Sequence, residues 1–188
     1  MDRLVSLHHR IFGPVDRLGR ELIPLLARLV FAATLLRYYW ASAGTKVWDR
    51  KGEEGLLDFF TLESGVYAQM FPKAFEAVNY NPDNLGLLYG VVAYAGTYAE
   101  WLLPLLILLG LFTRLAALGM IGFVLVQTLV DVTGHGGTLG ALFDSRYGLI
   151  DERGLWVFVL LVPVILGAGS VSVDRLLGLN TSPAPLRT

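Results

Sequence analysis

Cysteine is absent from all 188 residues, and with it go disulfides, a thiolate nucleophile, a Cys-held iron–sulfur cluster and any Cys-based zinc site. Histidine is scarce: there are three, two of them adjacent at His8 and His9, with no metal-ligand spacing. No Gly-rich phosphate loop or dinucleotide fingerprint occurs, and no nucleic-acid partner is expected. Charged residues make up only 16% of the chain, and they sum to −1. No covalently bound cofactor is expected, so any redox chemistry would rest on a lipid-soluble small molecule or on a partner protein.

What is plentiful is apolar sequence: 54% of residues are hydrophobic and the mean hydropathy is +0.56. These residues are blocked together at 22–43, 87–109, 115–132 and 153–169. A bilayer core takes about 20 residues per helix, which the first two blocks supply outright and the last two reach with flanking residues. The expected fold is an all-α integral membrane protein, a single domain over 1–188. It comprises a four-transmembrane-helix bundle, an interfacial N-terminal segment (1–21), a partly helical outer loop (44–86) and a cytoplasmic tail (170–188). Ala41-Ser42-Ala43 imitates a signal-peptide cleavage site, but Arg28 and Arg37 interrupt the preceding apolar run and argue for a retained span.

Orientation follows from Lys and Arg. One side carries Arg3, Arg10, Arg17, Arg20, Arg114, Arg175 and Arg187; the other carries Lys46, Arg50, Lys51, Lys73, Arg146 and Arg153. Four arginines precede the first span, which usually dominates, so both termini are placed in the cytoplasm and the protein in a bacterial inner membrane.

In the N-terminal segment Leu4, Leu7, Ile11, Val15 and Leu18 recur at steps of three and four, while Arg3, Arg10 and Arg17 stand seven apart. A helix lying in the membrane interface is expected, broken at Gly13-Pro14. The long outer loop mixes acids with Trp48, Phe59, Phe60, Tyr67, Phe71, Phe75 and Tyr80. One or two short helices should cap the outer end of the bundle, either as a lid over a site or as interfacial packing, with Asn81-Pro82-Asp83 turning into helix two.

Polar residues inside the spans carry the functional signal: Arg28 and Arg37 in helix one, Glu100 in helix two, Gln127 and Asp131 in helix three. Intramembrane charges are costly enough that they should pair. Helical rise puts Arg28 about 7 Å and Glu100 about 3 Å to the inner side of the midplane, with Arg37, Gln127 and Asp131 to the outer side. The expected couples are therefore Arg28 with Glu100, and Arg37 with Asp131 and Gln127. Nine residues separate the two arginines, about half a turn, so both face the bundle axis only in a distorted helix; otherwise Arg37 snorkels outward among Tyr38, Tyr39 and Trp40. Gly96, Thr97, Glu100 and Pro104 share one side of helix two, and Ala116, Gly119 and Gly122 form a close-packing stripe on helix three. His135, four residues after Asp131, is a loop histidine or a proton relay to that acid.

Arg28, then AGTKV at residues 43–47, AEWLLPLLILLGLFTRLAAL at 99–118 and GAGSVSVDRLLG at 167–178 resemble the successive signatures of the DoxX family of bacterial membrane proteins. The recurring positions fall on Arg28, Gly44, Lys46, Glu100, Gly110, Thr113, Arg114, Gly167, Gly169, Ser172 and Asp174. Ser170 stands where a proline is frequent, and the outer loop is enlarged. The resemblance implies the four-helix bundle and a link to membrane redox or stress complexes, among them a subunit of a thiosulfate:quinone oxidoreductase.

Three functions follow. The first is a quinone-linked subunit with a soluble or membrane oxidoreductase partner, using Arg28, Lys46, Glu100, Gln127 and Asp131 as ligand or proton contacts. The second is a small transporter, to which the apolar fourth helix supplies no polar path. The third is a non-enzymatic assembly or metal- and oxidative-stress partner. The fourth helix is also free to face lipid or another copy in a homo-oligomer.

Overall fold

A computed structural model describes residues 2–47, 60–140 and 148–179. Trp48 and Phe59 of the aromatic loop, Arg50, Lys51, Arg146 and Arg187 of the charge count, and tail residues 180–188 lie outside these described residues. Among the described residues every regular element is a helix and none is a strand: α1 (Asp2–Phe31), a π-helical segment (Ala32–Leu36), α2 (Arg37–Val47), α3 (Gly65–Met70), α4 (Pro72–Ala77), a 3-10 turn (Pro82–Asn84), α5 (Leu87–Leu109), α6 (Thr113–Gly134), α7 (Leu149–Leu166) and α8 (Val173–Leu176).

The first helix departs from expectation at both ends. Gly13-Pro14 does not break it, because proline removes only one backbone bond and the exposed carbonyl of Arg10 can stay solvated. At its other end it continues past residue 43 to Val47, so Gly44 and Lys46 belong to the helix and not to the loop. Between these ends the π segment adds residues to a turn. Buried positions Phe31, Leu35, Tyr39 and Ala43 recur every four residues, a spacing that would drift around a regular helix but that the π turn holds on one face.

Among the described residues three helices are long and apolar enough to cross a membrane: residues 3–47, 87–109 and 113–134. The shorter α7 opens with Asp151, Glu152 and Arg153. It packs along α6 and α1, while α5 packs on α6 and α2, which closes a four-membered ring of helices. Phe31, Leu35, Tyr39, Ile107, Ala116, Ala117, Met120, Val124 and Leu160 form its core. Lipid is as apolar as these side chains, so close approach and polar ties hold such a bundle together. Gly119 serves that end, since a Cβ there would stand 3.3 Å from Leu103; Gly122 does not, having nothing within 4 Å.

Local signals set the boundaries. Asn81 Oδ1 accepts from the Asp83 amide at 3.1 Å, turning the chain into α5. Gly110, at φ 70°, ends α5 with bonds from its amide to Ile107 and from the Leu111 amide to Leu106, a Schellman cap. On the outer side α3 and α4 are the two short helices expected there. Val66 and Phe75 are buried, and the Glu63 amide donates to the Lys46 carbonyl at 2.8 Å. The helices seat on glycines of the bundle: a Cβ at Gly96 would be 2.9 Å from Met70 Cε, and one at Gly134 would be 2.5 Å from Pro72 Cγ.

Candidate functional site

At the end of the bundle where α5 gives way to α6, called its inner end for the orientation expected from the sequence, Arg28 is buried and spends its guanidinium on backbone carbonyls. Nε donates to Ile107 (2.8 Å), Nη2 to Leu108 (2.7 Å), and Nη1 to Ala168 (2.6 Å) and Val171 (2.8 Å). A cation at the carbonyl end of α5 also complements the helix dipole. Asp174 does the converse at the start of α6, its carboxylate accepting from the amides of Phe112 (2.7 Å) and Thr113 (2.9 Å), while its own amide donates to Gly110 (2.8 Å). The geometry leaves no space at Gly110, where a Cβ would sit 2.5 Å from Arg28 Nη2, or at Gly169, where it would sit 2.9 Å from the Glu21 carbonyl. Gly167 turns out of α7 at φ 85° and Ser172 caps α8. Seven of the motif positions thus build one clasp joining the C-terminal third of α1 to the inner ends of α5, α6 and α7; Arg114 is exposed outside it.

The expected pair of Arg28 with Glu100 therefore does not form. Side chains lean toward their own helix N-terminus, and α1 and α5 run antiparallel, so Arg28 leans to the inner end and Glu100 to the outer. The same lean carries Lys46 down from the outer end to meet the acid. Its ammonium lies 2.6 Å from both Glu100 oxygens and 2.9 Å from Ser42 Oγ, one helical turn back. Lys46 is 3% and Glu100 5% exposed, so two opposite charges share a site almost closed to solvent. Removing one member of such a pair strands the other, whereas replacing both with apolar residues is often neutral. Thr97, fully buried a turn away on α5, binds its hydroxyl to the Ala93 carbonyl.

Aromatics also pair on α2 and α5, on faces other than that of Glu100. Trp40 and Trp101 stand 5.5 Å apart, with Trp40 Nε1 donating to the Trp101 carbonyl, and Tyr94 and Tyr98 stack at 6.3 Å. Ser42 is only half-buried, so the pair's hydroxyl contact is its most accessible edge.

A second ionic pair joins α6 to α7 near the outer end. Arg153 Nη2 donates to Asp131 at 2.7 Å, Nη1 to Thr128 Oγ1 at 3.3 Å, and the guanidinium lies 4.9 Å from the Trp156 ring. Arg37 thus loses its expected partner Asp131, and Gln127 donates instead to Tyr38 (2.8 Å) while accepting from Tyr39 (3.5 Å). The His135 imidazole lies 2.9 Å from the Gln69 carbonyl of the outer cap, so it is engaged with α3, not with the Asp131 carboxylate. In the sequence Arg153 falls at the head of an apolar block and reads there as a loop charge. The antiparallel pairing of α6 and α7 was the signal that could have matched it with Asp131.

No group of three or more His, Cys, Asp or Glu residues able to hold a metal occurs among the described residues. Of known families, the model of DoxX matches residues 23–136, more than half of the chain, from α1 through α6. The matched segment includes both ionic acids, Lys46 and Arg28, and ends before α7 and Asp174. No curated protein and no solved structure matches the chain.

Proposed function

Because the chain belongs to the DoxX family of membrane proteins, we propose that it serves as a quinone-linked membrane subunit whose ligand and proton site is the Lys46–Glu100 pair. The observation that carries this reading is a carboxylate and an ammonium held together at 2.6 Å inside an apolar bundle, with the half-buried Ser42 hydroxyl beside the ammonium. Intramembrane carboxylates mark proton and ligand sites more often than packing sites, since less costly polar residues can tie helices together. In this reading Lys46 donates to a quinone carbonyl oxygen and Glu100 exchanges protons. Reduction to the quinol takes two protons and two electrons: the protons pass through Glu100, and the electrons come from an oxidoreductase partner.

The same proposal places α7 as a fourth span in a bacterial inner membrane, with both termini cytoplasmic and the apolar stripe of the N-terminal helix against lipid. Its test is mass spectrometry of lipid-soluble molecules retained after gentle extraction, for the wild type and for Glu100→Gln. Quinone held by the wild type and lost from an equally folded variant is the expected result. Wild type without quinone, together with a variant that unfolds readily, would instead make the pair a structural tie in a protein that acts through partners.

A further inference from the structure

Arg37 is left over once the other intramembrane charges are paired. It is exposed on the outside of the bundle and makes no ion pair or hydrogen bond among the described residues. Depth removes the simple explanation that it reaches water. Its neighbour Tyr38 bonds Gln127, fourteen residues or about 21 Å from the inner end of α6 and seven residues or about 10 Å from the outer end. An arginine stem reaches about 6 Å and leans toward the helix N-terminus, away from the nearer surface. The guanidinium is therefore held within the hydrocarbon, where a bare charge is costly.

A second copy of this chain cannot neutralise it at that depth. The acids within its apolar blocks are Glu100 and Asp131, already taken by Lys46 and Arg153. Around Arg37 the exposed face of the same helix is small: Ala33, Ala41 and Thr45 stand at steps of four along it. Small residues on either side of a polar one let another helix approach closely enough to bond it.

We infer that this face of the first span, centred on Arg37, docks a transmembrane helix of a different protein that carries an Asp or Glu at matching depth. The inference stands independently of the quinone reading. A charged pair formed there would fix register as well as partner choice, since an acid one turn too high or too low leaves both charges unpaired.

The test places a photo-crosslinking residue at Ala33 or Ala41 of the full chain in its own membrane, with Leu118 on exposed α6 as the control position. Mass spectrometry identifies the adduct. The expected adduct is a membrane-spanning segment with an acid in its span. Its yield should fall at least about tenfold in Arg37→Glu and return when the partner's acid is changed to Arg. Should Arg37→Glu fail to accumulate, Arg37→Gln gives the same loss without charge repulsion. An adduct with lipid alone, with copies of this chain alone, with a protein whose yield ignores the charge at position 37, or no adduct at all, overturns the inference.

Discussion

The inner end of the bundle and its middle handle charge in opposite ways. At the inner end Arg28 and Asp174 are satisfied by backbone: four carbonyls receive the guanidinium and two amides feed the carboxylate. In the middle, Lys46 and Glu100 satisfy each other, side chain to side chain. Backbone partners cannot leave or change protonation, so the inner charges fix helix ends and have little left to offer a ligand. In the middle pair the ammonium can yield a proton and the carboxylate an acceptor oxygen to a third group, which is why the proposed site falls there.

That contrast orders the effects of substitution. The largest belongs to Arg28→Leu, which deprives four carbonyls of a charged donor at once; a loss of about 4–5 kcal/mol, read as failure to accumulate or a collapsed thermal transition, is expected. Arg28→Lys should recover part of this, since an ammonium keeps the charge but not the fork. Next comes Glu100→Leu, which strands Lys46 and should cost about 3–5 kcal/mol in detergent melting experiments, while Lys46→Met with Glu100→Leu should restore most of that loss. Equal damage from the single and double changes would break the comparison, because the middle site would then depend on more than its two charges.

Gly110→Ala follows. It combines a positive φ with a Cβ 2.5 Å from Arg28 Nη2, and about 2–3 kcal/mol of destabilisation is expected. Asp131→Asn is milder, at about 1 kcal/mol, because the carboxylate is 32% exposed and Arg153 keeps its contact with Trp156. At the bottom lies Glu21→Ala. Its bridge to Arg175 is more than half exposed at both ends, and a melting shift within about 0.5 kcal/mol of zero is expected. A larger shift would show that the inner clasp extends out to that surface pair.

Apolar blocks, the glycine at the end of α5 and the proline-bounded turn before it made the helices and their order legible in the sequence. The polar residues that stand out in the sequence, Arg28, Lys46, Glu100, Gln127, Asp131 and Asp174, all have defined polar contacts. Their partners were not legible, for three physical reasons. Depth was reckoned at Cα positions, while long side chains lean along the helix and move the charge by a turn. The apolar block stops at residue 43, which puts Lys46 in the loop, yet α2 runs on to Val47. The π segment, which sets the phase between Arg28 and the residues above it, has no signature in the run Ala32–Leu36 beyond the mismatch between buried spacing and helical period.

The division of roles between the clasp and the middle pair is tested most directly by purifying Lys46→Met/Glu100→Leu and measuring thermal stability and retained quinone on one sample. A folded protein, melting within about 1 kcal/mol of wild type and carrying no quinone, is the result this account requires. Quinone retained at the wild-type level by that folded variant would contradict it and take the ligand away from Lys46 and Glu100.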